Sequence, residues 1–501
     1  MTKKALLIRA DASPEIGTGH VMRCLALAEA WQDNGGEILF VSACCAPAIE
    51  DRLKKEGMPV LHIPQKAGTS GDADETALLA HEQGVDWIVV DGYHFGAEYQ
   101  KEIKDAGFSL LFIDDYGHAD HYYADIVLNQ NIYADMSFYK NYEQYTRFLL
   151  GTKYVLLRRE FLKYSGWCRD IPNVARKILV TLGGSDPDNV TLKIIDALRT
   201  AELEGLEVKV VVGGANPHFD LIHETVKDLS NFTLIKNADN MPELMAWADV
   251  AISAGGSTCW ELAFMGLPSI VIPIAENQKP IAKELKSKNI AEVIEGNIFQ
   301  NQKELAILIS DFLQNYELCS AFSKRMAQHI DGKGQYRIIN AISYDKIKLR
   351  KVELSDCERI WLWINDPKVR SVSFNPKQIS LEDHKKWFSS ALNNPNLIYY
   401  IAIDKTAKPI GQARFLIESK EAIISVLIGR EYRGRSLGSL VIHGATEKFF
   451  TETEIDTVKA YIKPENEVSR KVFIKAGYIE QGWCDYNGNH VHLLIKNRRT
   501  Q

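Results

Sequence analysis

The residues best placed to do chemistry stand at the first apolar-to-polar junction of the chain. There Ala5–Ile8 runs through Arg9-Ala10-Asp11 into Gly17-Thr18-Gly19-His20-Val21-Met22-Arg23-Cys24. Gly17 and Gly19 let backbone approach a ligand closely. Thr18 has the chemistry of an N-cap, and Val21, Met22, Leu25, Ala28 and Trp31 give the following helix an apolar stripe. His20 therefore falls on the first helical turn, where a neutral imidazole can serve as a general base. A second such junction is Ser253-Ala254-Gly255-Gly256-Ser257-Thr258-Cys259-Trp260-Glu261. Backbone N–H groups at a helix start suit a phosphate, and Glu261 one turn in suits ribose hydroxyls. Thr258-x-x-Glu261 reads equally well as a capping box. A third is Arg433-Gly434-Arg435-Ser436-Leu437-Gly438-Ser439, where amides and arginines together suit a pyrophosphate.

These junctions need strands to end at them and helices to follow. Apolar runs at 37–42, 87–90, 110–113 and 126–128 alternate with helical segments, which predicts a parallel sheet covered on both faces over residues 1–160. Asp91-Gly92-Tyr93-His94 and Asp114-Asp115-Tyr116-Gly117-His118 follow two of these runs. In open α/β sheets ligands lie beyond the carboxyl ends of strands, so these loops are candidates to face His20; each is also ordinary turn chemistry. The pattern restarts near Arg176, with Gly183-Gly184-Ser185-Asp186, Gly213-Gly214 and Gly255-Gly256 after strands, predicting a second doubly wound domain over 161–345. After Lys346 an α+β domain over 347–501 is expected. It has strands at 347–352, 398–403, 410–417 and 422–428, with helices at 355–363, 381–392 and 440–450.

The totals exclude several classes. A net charge of −6 without a long basic run argues against nucleic acid or an anionic membrane as the main partner. No apolar segment is long enough for a membrane span, and the first residues lack a signal-peptide core. The eight cysteines form no Cys-x-x-Cys pair and read as reduced thiols of a cytoplasmic protein. His490-Val491-His492 lacks a third ligand, so no metal is expected. The Gly255 loop has no Walker Gly-Lys-Ser/Thr, and Gly17-x-Gly19 continues to Met22, so a dinucleotide fingerprint fails.

Taken together, residues 1–340 resemble the nucleotide-sugar hydrolases of pseudaminic acid biosynthesis, which have a two-domain glycosyltransferase-B fold. The resemblance rests on Arg9-Ala10-Asp11, Gly17 through Cys24, Asp91-x-Tyr93, Gly183 through Asp186, Ser253 through Glu261, and Asn277-Gln278. It implies hydrolysis of UDP-2,4-diacetamido-2,4,6-trideoxy-β-L-altrose to UDP and free sugar, with His20 as the catalytic residue. It also implies substrate contacts from Asp11, Gly17, Thr18, Gly19, Asp91, Tyr93, Gly184, Ser185, Gly255, Gly256, Ser257, Thr258, Glu261, Asn277 and Gln278.

Residues 347–501 resemble GNAT N-acetyltransferases that use acetyl-CoA. The resemblance rests on Arg433 through Gly438, with Ser436 where glycine is usual, on Asn466-x-x-Ser469, and on Lys475-x-Gly477-Tyr478. Ile364-Asn365-Asp366-Pro367 and Ile379 through Trp387 are similar to the amino-sugar acetyltransferase of the same pathway. The implied coenzyme contacts are Val426, Ile428, Arg433, Gly434, Arg435, Ser436, Leu437, Gly438, Ser439, Asn466 and Ser469. Phe473 stands where many members carry a tyrosine acid; Glu467, His384 and Glu418 are the candidate bases. The small-molecule partners expected are a UDP-sugar and acetyl-CoA. A glycosyltransferase of the same fold, joined to an acetyl-CoA-binding or protein-acetylating domain, is the alternative.

Overall fold

The computed structural model describes residues 5–13, 16–183, 186–201, 203–214, 216–344, 347–404, 407–434 and 437–498. The chain divides into two compact units, Met1–Ile339 and Asn340–Gln501.

The first unit holds two parallel sheets. One is built from β1 (Ala5–Ala10), β2 (Glu37–Ser42), β3 (Val60–His62), β4 (Trp87–Asp91), β5 (Ser109–Ile113), β6 (Ile126–Asn129) and β7 (Arg147–Leu150), in the order 3-2-1-4-5-6-7. The other comprises β8 (Lys177–Thr181), β9 (Glu207–Val212), β10 (Phe232–Lys236), β11 (Val250–Ala254), β12 (Ser269–Ile272) and β13 (Glu292–Val293), in the order 10-9-8-11-12-13. Both orders reverse direction between the first and fourth strands, and at such a switch point two neighbouring loops part and leave a crevice. Helices cover both faces, which is why the central strands are apolar without alternation: Leu6, Leu7 and Ile8 are all fully buried, as are Ile88, Val89 and Val90. β3 and β7 were not expected from the sequence. β3 spans three residues and β7 is half-buried throughout, so neither carries the strong apolar run of a central strand.

The second unit contains one sheet of β14 (Ile347–Lys351), β15 (Leu397–Asp404), β16 (Pro409–Glu418), β17 (Glu421–Ile428), β18 (Thr457–Ile462), β19 (Ile479–Tyr486) and β20 (Asn489–Asn497), in the order 14-15-16-17-18-20-19. Every pairing is antiparallel except that of β17 with β18. The parallel pairing runs from Glu421 opposite Thr457 to Ile423 opposite Lys459 and ends there among the described residues. Beyond Ile423 the two strands diverge, leaving a wedge-shaped opening on that edge of β17. The helix after β17 runs Leu437–Glu452, three residues longer at its start than its apolar periodicity predicts. Tyr400, Phe415, Phe449 and Tyr478 fill the core between the sheet and this helix.

Candidate functional site

In the first unit the site begins with register. β1 pairs with β4 so that Ala10 lies opposite Asp91. The loop leaving β1 and the last residue of β4 thus meet at the switch point. Gly17 has φ +80°, a left-handed conformation open to glycine at little cost, and its N–H donates to the Ser13 carbonyl at 2.7 Å. That turn sends the chain into the Gly19–Asp33 helix with His20 facing inward, 7% exposed. Thr18 holds the N-cap position, but its side chain makes no capping bond, contrary to its expected role.

His20 Nδ1 lies 2.7 Å from Asp91 Oδ1. A carboxylate only accepts, so the proton sits on Nδ1 and the Nε2 lone pair is left for the cleft. Asp91 is fully buried, and Arg23, one turn after His20, grips it with Nε to Oδ2 at 2.6 Å and Nη2 to Oδ1 at 2.7 Å. Burial alone would raise the Asp91 carboxyl; the charge of Arg23, then that of His20, holds it well below the usual carboxylate range. Arg23 Nη1 also reaches Asp115 Oδ1 at 2.7 Å, where Asn131 Nδ2 adds a bond of 2.8 Å. Asp115 is likewise lowered, with Arg23 overcoming its burial. The Cys24 thiol, 3.5 Å from Asp91, is pushed up by burial and is inert.

The network continues outward. Tyr93 donates from its hydroxyl to Asp115 Oδ2 at 2.7 Å and sets its ring edge-on to His20, with centroids 4.8 Å apart. Asn277 Nδ2 donates to the Tyr93 oxygen at 3.4 Å, joining the loop after β12 to the loop after β4. Of the paired aspartates, Asp115 enters the site. Asp114 instead accepts from the Tyr116 and Gly117 N–H groups and from the Tyr122 hydroxyl, a turn role.

Other expected residues are held differently. Asp11 is 1% exposed and turned inward: Oδ1 accepts from Ser42 Oγ at 2.9 Å and the Ala43 N–H at 2.7 Å, and pairs with Arg9 at 2.7 Å. Gln278 clamps the glycine loop, its Oε1 accepting from the Gly255 N–H at 3.1 Å and the Ile274 N–H at 3.0 Å. The Gly255 N–H is therefore spoken for, leaving Gly256, Ser257 and Thr258 as helix-start donors with no partner among the described residues. Ser257 occupies the N-cap of the Thr258–Phe264 helix and makes no side-chain capping bond. Glu261 forms no capping box either: Arg158 donates to its Oε1 from Nε at 3.1 Å and from Nη2 at 2.9 Å. Burial raises the Glu261 carboxyl despite Arg158. Gly184 and Ser185 lie outside the described residues. Asp115 belongs to a loop that the sequence made a candidate to face His20; Arg23, Asn131 and Arg158 were not singled out as site residues. Arg23 was detectable as His20 plus three on one helix face; Arg158 carried no local signal.

In the second unit, Val426 and Ile428 lie on the stretch of β17 past its last pairing with β18 among the described residues, so no described strand covers that edge, although Arg433 takes the Ile428 carbonyl. Gly434 has φ +76° with open space where a Cβ would stand, and Gly438 packs closely on Val472, so a Cβ there would approach it to 3.1 Å. Leu437 opens the helix and Ser439 is buried within its first turn. Arg433 is anchored, Nε to the Ile428 carbonyl and Nη1 to Asp366 Oδ1, both at 3.0 Å; its Nη2 is buried with no partner among the described residues. Arg435 and Ser436 lie outside the described residues. A cavity of about 450 Å³ beside this loop is lined by Arg359, Trp361, Asn365, Arg430 and Arg433, among others.

Asn466 caps the Glu467–Lys475 helix by accepting from the Ser469 N–H at 3.3 Å. Phe473 is buried edge-on to Tyr478, whose hydroxyl is bonded to Thr446 at 2.8 Å. Of the candidate bases, His384 is 1% exposed, with Nε2 on the Cys357 carbonyl at 3.1 Å, and burial lowers it. Glu467 is bound by Arg470 at 2.8 and 3.2 Å, and Glu418 pairs in register with Glu421 at the closed end of the wedge.

Two domain classes follow from these folds and loops. Residues 178–338 match the glycosyltransferase family 28 C-terminal domain, and residues 346–479 match the acetyltransferase (GNAT) domain. The chain thus joins a two-sheet, glycosyltransferase-B-like unit to a GNAT-like one. Among named relatives, it is 26% identical to the UDP-2,4-diacetamido-2,4,6-trideoxy-β-L-altropyranose hydrolase of Campylobacter jejuni, over 56% of this chain and 96% of that protein. It is 25% identical to a spore coat polysaccharide biosynthesis protein of Bacillus subtilis, over 66% of this chain and 95% of the relative. An uncharacterized protein of Methanocaldococcus jannaschii matches both units, at 25% identity over 94% of this chain and 96% of its own. No helix among the described residues is long and apolar enough to cross a membrane.

Proposed function

We propose that the first unit hydrolyses a UDP-linked diacetamido sugar and that the second acetylates the amino group of a related UDP-sugar with acetyl-CoA. The observation that carries the first half is the His20–Asp91 pair. Asp91 fixes the Nδ1–H tautomer, so Nε2 can take a proton from a water that attacks the anomeric carbon. As the water's oxygen bonds to that carbon, the bond from carbon to the diphosphate oxygen breaks and UDP departs. Asp91, itself held by Arg23, keeps the ring oriented while the proton is taken. On this reading the N–H groups of Gly256, Ser257 and Thr258 receive the diphosphate, Glu261 the ribose, and Tyr93 and Asn277 the sugar. The hydrolase relative's name supplies the substrate, UDP-2,4-diacetamido-2,4,6-trideoxy-β-L-altropyranose.

For the second half, acetyl-CoA supplies its acetyl group as a thioester. The free edge of β17, with Gly434 and the start of the Leu437–Glu452 helix, fits an extended chain ending in a pyrophosphate. The acceptor amine must lose its proton, and Phe473 offers no acid for the departing thiol.

The match to a glycosyltransferase domain favours one other reading, transfer of the sugar to an acceptor other than water. Phosphorus NMR of the full-length protein with the UDP-diacetamido sugar separates the two. UDP release without any added acceptor is the expected result; intact substrate until an acceptor is added would favour transfer.

A further inference from the structure

Within the first unit, Arg158 grips Glu261 by one oxygen only. Nε and Nη2 both donate to Oε1, at 3.1 and 2.9 Å. Oε2 takes no partner among the described residues and is not fully buried, and the Glu261 side chain keeps 16% of its surface exposed. The rest of the guanidinium is equally fixed. Nη1 pairs with Glu160 Oε1 at 2.5 Å, and Glu160 Oε2 pairs in turn with Arg52 Nη2, on the Pro47–Lys55 helix, at 2.8 Å. The fully buried Phe161 ring lies 5.2 Å from the guanidinium carbon. Alternating charges thus run from Arg52 through Glu160 and Arg158 to Glu261. They lead from a helix that follows β2 to the helix that follows β11, and Glu261 is the one member with an oxygen left over.

Each carboxylate oxygen carries two lone pairs. The guanidinium fills those of Oε1 and leaves both on Oε2, an arrangement suited to accept from two adjacent hydroxyls of one cis-diol. Arg158 also holds the carboxylate off the Thr258 N–H, toward which the Thr258-x-x-Glu261 spacing would otherwise draw it. Burial raises the Glu261 carboxyl, and the charge of Arg158 opposes that rise. Without the guanidinium a proton would settle on the carboxyl more readily, and an acceptor would become a donor. We infer that Arg158 is a positioning residue that makes Glu261 a reader of the ribose diol, so that the first unit selects ribonucleotide sugars over their 2′-deoxy counterparts. A site built to bond a hydroxyl rejects the analogue that lacks it, because its own acceptor is then left unpaired. The inference rests on the reading of the first unit as a UDP-sugar hydrolase with Glu261 at the ribose.

The test uses the full-length protein and two probes, UDP and 2′-deoxy-UDP, titrated by calorimetry. The parent should bind UDP roughly 10- to 100-fold more tightly, the range for a hydrogen bond to a charged group. Arg158→Gln should cut that ratio to below about threefold, chiefly by weakening UDP. Arg158→Lys keeps the charge, so it protects the fold, but it cannot reproduce the two-bond grip; its ratio should fall between the two. In turnover of the UDP-diacetamido sugar, Arg158→Gln should raise KM with kcat within a few-fold. A ratio equal to the parent's in either variant, with both nucleotides weakened alike, would make Arg158 a structural tie and overturn the inference. A parent that binds both nucleotides equally would also overturn it, while UDP release from the sugar would keep the hydrolase reading standing. A parent that binds neither nucleotide and releases no UDP would remove that reading, and the inference with it.

Discussion

The His20 centre and the wedge between β17 and β18 solve the problem of reactivity in opposite ways. Around His20 the chemistry lies in side chains, and those side chains are locked. Asp91, Arg23 and Asp115 are buried, mutually paired, and bonded onward to Tyr93 and Asn131. Around the wedge, side chains expected to act are occupied elsewhere: Asn466 caps a helix and His384 is buried against Cys357, while Phe473, where an acid is usual, fills the core. What the wedge offers is backbone, the unpaired edge of β17. A site made of buried charges cannot lose one member without stranding another. A site made of backbone tolerates side-chain loss much better.

That contrast is broken most severely by His20→Ala. Removing a general base costs about 10²–10⁴ in rate, so UDP release followed by phosphorus NMR should fall by about 10³ or more, while acetyl transfer by the second unit is unchanged. A loss below tenfold would show that His20 only fills the junction. Asp91→Asn comes next. It keeps the shape but no longer forces the proton onto Nδ1, and it leaves Arg23 with Asp115 alone. A fall in kcat of roughly 10²–10³ with little change in KM is expected. A variant changed only in KM would return Asp91 to a substrate-contact role.

The third prediction concerns a buried charge within the first unit that is not fully compensated. Glu29, 2% exposed, accepts from the Arg159 N–H at 2.5 Å. Burial pushes its carboxyl up to about 7, and Glu56 and Glu160 add to the rise against Arg159. Below about pH 4.5 the group is protonated in both folded and unfolded chains, so it has no effect on the balance. Between that pH and about 7 the unfolded chain releases the proton more readily, so stability falls as pH rises, by roughly 3 kcal/mol when complete. Glu29→Gln retains an acceptor for Arg159 but cannot ionise. Thermal melts at pH 5 and pH 8 should show the variant gaining on the parent as pH rises. Parallel melting curves for the two proteins would rule out Glu29 as the titrating group.

Strands with continuous apolar runs, and the loops after them, were readable in the sequence because both signals are local. Sheet order is not local, and it decides the site: Asp91, 71 positions after His20 with two other strands between, reaches it only because β4 pairs with β1. The same limit explains Glu261. Thr258-x-x-Glu261 satisfies the capping-box spacing, but its carboxylate goes to Arg158, more than a hundred positions away, which spacing cannot reveal. Asp114 and Asp115 make the point at the scale of one residue. Both suit a turn, and only the alternation of the chain at the end of β5 turns the second toward Arg23 and leaves the first with the turn amides.

The smallest effect is expected for Glu467→Gln, and it tests the wedge half of the contrast. Glu467 is one of the three candidate bases named from the sequence, and it follows Asn466 at the start of a helix. In the folded unit Arg470 holds it bidentately, Lys471 lies 3.8 Å away, and this pairing keeps the carboxyl below its ordinary range. A carboxylate stabilised in its charged form is a weaker proton acceptor. Glutamine preserves a hydrogen bond to Arg470, so the helix start should survive. The pH–rate profile of thiol release should keep its shape, with kcat within about twofold. General-base loss would cost about 10²-fold or more and remove the limb of the profile that reports the base. That result would place a side chain at the centre of a cleft that otherwise works through backbone, and the two sites would then be alike.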